Sequence, residues 1–239
     1  MEPYFEASAN ARAQSTSTFD AGLRQHMQGI YRKMGIALII SGSLAFAISA
    51  TPALYQPIFG TPLKWVAMFA PLAFAMLFSF RFDRMSLQGA FACLWGFAAV
   101  MGISMASIFL VFTGASIAST LFIAASMFLA VSLFGYTTKS DLSRWSSFLI
   151  MGLIGVVIAS LVNLFLQSGP MQLVISIIGV IVFTGLTAWD TQRAKAEYVA
   201  YGAGAATEKL AVMSAFSLYL NFVNIFQLLL QLIGVQKSE

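Results

Sequence analysis

Charge is scarce in this chain: 13 Lys and Arg and 9 Asp and Glu in 239 residues, a 9% share against roughly 25% in soluble proteins. A chain this poor in charge does not clothe a water-facing surface. The single cysteine, Cys93, lies in an apolar run, which excludes an internal disulfide and a cysteine metal cluster. It reads as a small buried hydrophobe. The single histidine, His26, falls outside the long apolar runs and is expected on a solvated helix face. An intramembrane serine protease, which needs a serine–histidine pair within its spans, is therefore excluded. Residues 210–236 contain no lysine, so a retinal Schiff base in the last apolar run is excluded as well. No phosphate loop or metal-binding motif is present, and neither a cofactor nor a metal site is expected. The net charge of +4 comes with no basic face interleaved with aromatics, so nucleic acid is not an expected partner. Enzyme is the least expected class.

Apolar sequence fills the space that charge leaves. Hydrophobic residues make up 59%, above the roughly 45–50% usual in soluble domains. The uncharged windows are 34–63, 65–80, 85–138, 145–189 and 210–236. A membrane-crossing helix needs about 20 residues, so 85–138 and 145–189 each hold two. Both break near the middle, at Thr113-Gly114-Ala115-Ser116 and at Gln167-Ser168-Gly169-Pro170, while Gly60-Thr61-Pro62 separates the first two helices. These signals predict an all-α membrane protein with spans at 35–55, 63–80, 87–110, 116–136, 146–167, 171–192 and 210–233.

Positive charge orients the bundle. With the N-terminus inside, only Lys64 and Lys237 among the 13 basic residues fall outside. The N-terminus is thus expected in the cytoplasm and the C-terminus outside, in a bacterial inner membrane with lipid as its surroundings. Residues 1–18 are polar and without periodicity, which predicts a flexible tail. The remaining chain, 19–239, reads as one membrane domain. In it, Phe19, Leu23, Met27, Ile30 and Met34 recur every three or four residues and predict an amphipathic helix over 19–34 lying on the inner surface.

One acidic residue closes a membrane-length apolar run: Asp190, in Thr187-Ala188-Trp189-Asp190-Thr191. Acids at such depth are costly, about 2.5–3.5 kcal/mol on insertion scales, and are associated with ion or proton handling or with a charge partner. A two-aspartate intramembrane protease is excluded, because no second acid shares that depth. In the seventh span Ser214, Ser217, Asn221, Asn224, Gln227 and Gln231 fall within a sector of about 140° at 100° per residue. Lipid cannot satisfy these groups, so the stripe faces protein or a water-filled cavity. In the sixth span Ser176, Gly179, Thr187 and Asp190 share a sector of about 80°, a small-and-polar face suited to close packing. The glycine-rich turn Tyr201-Gly202-Ala203-Gly204-Ala205-Ala206 places Asp190 and Asn221 at similar heights if the sixth helix continues through Lys195 toward Tyr198; one turn of slip substitutes Ser217 or Asn224. Arg81 and Arg84, at the inner end of the second span, are candidate latches onto Asp190. Asn163 and Ser160 in the fifth span read as interhelical glue.

The segment Phe183-Thr184-Gly185-Leu186-Thr187-Ala188-Trp189-Asp190-Thr191-Gln192 resembles the sixth-helix motif of the Bax-inhibitor (TMBIM) membrane proteins. Ser217-Leu218-Tyr219-Leu220-Asn221-Phe222-Val223-Asn224 resembles their seventh-helix motif, and Tyr31-Arg32-Lys33-Met34 resembles the bacterial branch. The resemblance covers about residues 28–235. It implies a seven-helix bundle with the last helix central and a pH-sensitive calcium leak. It also implies two aspartates on the sixth and seventh helices that share a proton, with a second-helix arginine touching the first. Asp190 matches the first aspartate, and Arg81 or Arg84 matches the arginine. Asn221 stands where the second aspartate belongs. Two close carboxylates titrate as a pair, and an asparagine cannot share a proton, so the expected pH response is weakened or displaced. Calcium prefers six to eight oxygen ligands, usually with several carboxylates; an ion pathway along Thr187, Ser217, Asn221, Asn224 and Asp190 predicts weak passage of calcium or another cation. The rival expectation is a non-conducting interaction protein that modulates a membrane-bound AAA protease through 1–18 and the basic stretch 193–209.

Overall fold

The computed structural model describes the backbone of residues 2–237 and side chains from Phe19 to Lys237. The tail expected at 1–18, and Glu239, lie outside the residues whose side chains are described. Eight helices follow in order: α1 (Glu2–Ala50), α2 (Pro52–Phe59), α3 (Leu63–Arg81), α4 (Leu87–Val111), α5 (Gly114–Thr137), α6 (Ser143–Leu166), α7 (Gly169–Tyr201) and α8 (Ala205–Ile233). A 3-10 turn, Phe82–Arg84, joins α3 to α4. All except α2 are long and apolar enough to cross a membrane. Described residues contain no strand, only a lone antiparallel bridge between Phe112 and Gln236.

The helix breaks sit where the turn chemistry lies. Thr113 caps α5 by accepting the Ser116 N–H at 3.3 Å, and Ser168 caps α7 by accepting the Met171 N–H at 3.4 Å. Each cap satisfies a backbone N–H that the helix itself leaves open. Between α6 and α7, Gln167 adopts a left-handed conformation at φ 50°. Asn163 secures that turn: its carbonyl accepts the Ser168 N–H and its amide donates to Gln172, both at 3.0 Å. The fifth-span asparagine is therefore glue of a particular kind, the clasp of a hairpin. Ser160 returns its hydroxyl to the Val156 carbonyl of its own helix at 2.7 Å.

Two expectations near the N-terminus are corrected. The stretch 19–34 is not a separate helix lying on the membrane surface; it is continuous with the first span. Its apolar stripe is real, but Leu23, Met27, Ile30 and Met34 are buried in the core, and the stretch docks on the ends of α7 and α8. Gly35 alone does not break a helix, and the first proline after it is Pro52, where α1 has ended. Lys33 pairs with Glu208 of α8 at 2.8 Å. His26 is not on a solvated face: its ring packs on Tyr198 of α7, centroids 5.1 Å apart.

α8 packs against α1, α4, α5 and α7 and is the most buried of the seven spans. Hydrophobicity does not drive helices together inside lipid; close packing and interhelical hydrogen bonds do. Both are visible here. Phe216 of α8 meets Phe78 of α3 and Phe97 of α4 edge-on, at 4.6 and 4.9 Å between centroids. Tyr219 is fully buried, and its hydroxyl lies 2.6 Å from Ser41 Oγ of α1. At Gly135 the backbone of α5 runs so close to Ala188 of α7 that a Cβ would strike its carbonyl.

Candidate functional site

The seventh-span polar stripe faces α7 at both ends and a cavity in the middle. At one end Gln231 accepts from Ser176 Oγ at 3.3 Å and from Gln172 Nε2. At the other, Ser214 donates to Glu197 Oε2 at 3.0 Å, Ser217 accepts from Arg193 at 3.3 Å, and Asn221 Nδ2 donates to Asp190 Oδ2 at 2.7 Å. Between them Asn224 and Gln227 line a cavity of about 650 Å³. Asn224 also donates to the Leu220 carbonyl of its own helix at 2.8 Å.

Asp190 is the centre of the inner cluster and is 4% exposed. Both of its oxygens are engaged, Oδ2 by Asn221 and Oδ1 by the guanidinium of Arg193 at 3.0 Å. The same guanidinium reaches Glu197 Oε1 at 3.5 Å and lies 5.0 Å from the centre of the Trp189 ring. Asp190, Arg193 and Glu197 are spaced three and four residues apart and so lie on one face of α7. Two carboxylates share one arginine, with two serines and an asparagine of α8 completing the shell.

The arginine is a correction. Neither Arg81 nor Arg84 latches Asp190; both are exposed, and among the described residues neither forms an ion pair. It is Phe82, not an arginine, that turns into the core at the end of α3. Arg193 takes the place because α7 continues as helix past residue 192 to Tyr201, which leaves Arg193 one turn above Asp190. Glu197, one turn further along the same extension, carried no expectation from the sequence. Thr187, expected in the ion pathway, is fully buried and returns its hydroxyl to the Phe183 carbonyl at 2.7 Å; it belongs to the helix wall rather than to the cavity.

The cavity lies between α3 and α6, over a floor formed by α7 and α8. Its mouth is apolar: Leu72 and Met76 on α3 and Ile154 and Ile158 on α6 are all exposed. Asp190, Arg193, Ser217, Asn221, Asn224 and Gln227 form the polar floor. A second cavity of about 360 Å³ at the opposite end, near Lys64 and Gln167, shares Met68 and Ser104 with the first. The two cavities thus adjoin at Met68 and Ser104, and the Asp190–Arg193 pair lies on the floor of the larger one.

Seven membrane-length helices, with the buried, arginine-paired Asp190 on the floor of a cavity among them, define an integral membrane protein with a charged cluster within its helix bundle. The comparisons agree. Residues 23–238 match the family model described as inhibitor of apoptosis-promoting Bax1, and the chain belongs to that family. It is 45% identical to protein RP147 of Rickettsia prowazekii over 221 residues, covering 92% of this chain and 94% of that one. A Caulobacter vibrioides protein is 42% identical over 225 residues, covering 90% of each. The inner membrane protein YbhL of Escherichia coli is 37% identical over 217 residues, covering 90% of this chain and 93% of its own.

Proposed function

We propose that this chain is a cation leak of the membrane, with Asp190 as its controlling carboxylate and Arg193 as the group that holds it shut. One observation carries the reading: Asp190, paired with Arg193, shares the floor of a cavity among the spans with Ser217, Asn221, Asn224 and Gln227, and a second cavity adjoins it toward Lys64. Polar groups at this depth are costly unless protein, water or an ion partners them. A cation moving along the floor meets Gln227, Asn224 and Asn221 and then Asp190, an oxygen-rich path with one full negative charge. Such a path suits calcium or another cation in weak, transient contact rather than tight binding. Opening requires the guanidinium to leave Oδ1, and Glu197, one turn further on, is its alternative partner. Asn221 donates to Asp190 but carries no titrating proton of its own, so the pH response is weakened relative to a pair of acids.

The distribution of positive charge supports an N-terminus in the cytoplasm, and YbhL as a relative supports the bacterial inner membrane as the location. The test is Asn221→Asp in proteoliposomes loaded with a calcium-sensitive dye. A steeper dependence of flux on pH than in the wild type supports the reading, and an unchanged profile overturns the role given to Asn221.

A second reading has one observation in its favour. Both oxygens of Asp190 are already satisfied, as a purely structural acid would be. In that case the chain is a non-conducting partner of a membrane-bound AAA protease. The basic stretch it would present is short, since α7 extends to Tyr201 and only 202–204 separate it from α8. Deleting residues 1–18 then abolishes capture of the protease; flux that survives the deletion belongs to the leak.

A further inference from the structure

The cavity at Asp190 opens sideways, and its shape and charge suit a ligand larger than a metal ion. We propose that it is a binding site for hydrophobic organic cations that arrive through the lipid, molecules with one permanent positive charge on an apolar body. The mouth between α3 and α6 is walled by Leu72, Met76, Ile154 and Ile158, all exposed where a bilayer would lie. A polar solute has no favourable route through such a mouth, and an amphiphile does. The volume of about 650 Å³ lies within the 300–1,000 Å³ usual for drug-sized ligands.

The floor decides the sign of the charge. Asp190 and Arg193 line the cavity, and Glu197 stands behind the same guanidinium at 3.5 Å. With both acids ionised, two carboxylates against one arginine leave one negative charge. The basic groups nearby on these elements point elsewhere: Lys195 donates to the Tyr136 carbonyl at 2.9 Å and Lys209 to the Asp83 carbonyl at 3.0 Å. Rings add to the preference. Phe97, Phe183 and Trp189 line the cavity, and Trp189 already holds a guanidinium against its face. Aromatic faces attract quaternary cations that cannot hydrogen-bond. An anionic amphiphile would meet the same apolar walls and a floor of the wrong sign.

Binding does not require that ions pass, so this inference stands or falls apart from the leak. The probe is tetraphenylphosphonium, with tetraphenylborate as its partner of similar size and opposite charge. Each is titrated onto the full chain in nanodiscs, with empty nanodiscs subtracted. Saturable binding of one phosphonium per chain is expected, with no saturable borate binding. Asp190→Asn is expected to weaken it about tenfold or more, the scale of one lost charge contact in a partly screened site. Ala75→Trp, which fills the cavity from α3 and leaves every charged residue in place, is expected to abolish it and keeps the test decisive should Asp190→Asn fail to fold. Equal binding of borate, or phosphonium binding that survives Ala75→Trp, overturns the proposal.

Discussion

Removing Arg193 tests the geometry of the site most severely short of a transport assay. Arg193 sits 3.0 Å from Asp190 Oδ1 and 3.5 Å from Glu197 Oε1. At an effective dielectric of about 20, each of these contacts amounts to roughly 5 kcal/mol of bare attraction. Most of that offsets desolvation, and a third of the Arg193 side chain is exposed, which screens it further. Asp190, however, is almost wholly buried. Removing one partner of a buried pair typically costs 3–5 kcal/mol, because the other charge is stranded; with the exposure of Arg193 the lower end, about 3 kcal/mol, applies to Arg193→Ala. Asp190→Asn strands no charge and is expected to cost about 1 kcal/mol, the scale of a modified buried hydrogen bond. The double variant should therefore be more stable than Arg193→Ala alone, with a coupling of about 2 kcal/mol. Unfolding in mixed detergent–SDS micelles measures all four corners of this cycle. Arg81→Ala and Arg84→Ala, carried alongside, are expected within about 0.5 kcal/mol of the wild type. A loss below about 1 kcal/mol for Arg193→Ala, or additivity in the cycle, refutes the ion pair as the lock on Asp190.

Three further outcomes follow from local geometry. Tyr219→Phe removes the hydroxyl that meets Ser41 and should cost about 1 kcal/mol in the same assay, since Ser41 keeps its bond to the Ala98 carbonyl at 2.7 Å. Gly135→Ala should cost more, about 2 kcal/mol, because α5 and α7 must separate to admit a methyl group against the Ala188 backbone. Asp141, in the loop between α5 and α6, is held below the ordinary carboxylate range by the hydroxyl and then the N–H of Ser143. A depressed carboxylate stabilises the fold above its unfolded pKa and loses that contribution as pH falls through the folded one. Asp141→Ala should therefore melt below the wild type at neutral pH, with the gap closing in acid below about pH 4; a gap that widens in acid contradicts the assignment.

Much of the architecture was legible because a bilayer enforces strict bookkeeping of backbone polar groups. Helix breaks at Thr113 and Ser168 had to be capped, and hydroxyl residues with nearby glycine or proline advertise such caps. The pairing of Asp190 with Asn221 followed from one short turn, since equal distances along antiparallel helices give equal heights. What stayed hidden lay beyond the membrane boundary. Reading Arg193 only as inner-surface charge left it, and Glu197, off the face that carries Asp190. Nothing in 193–201 stops a helix, and α7 runs until Gly202, whose φ of 67° ends it. The amphipathic stretch 19–34 carried the opposite ambiguity: the same stripe fits a membrane surface or a neighbouring helix pair, and only the positions of α7 and α8 distinguish them. The cavity between α3 and α6 had no sequence signal, because its apolar walls look like any lipid-facing helix surface.

The most direct measurement is calcium flux into dye-loaded proteoliposomes at acidic, neutral and alkaline pH, for the wild type and Asp190→Asn. If Asp190 controls a cation path, the wild type conducts above empty liposomes and the substitution changes the rate and flattens its pH dependence. Flux that is indistinguishable from empty liposomes, obtained with protein that remains folded, contradicts the leak and leaves Asp190 a structural acid.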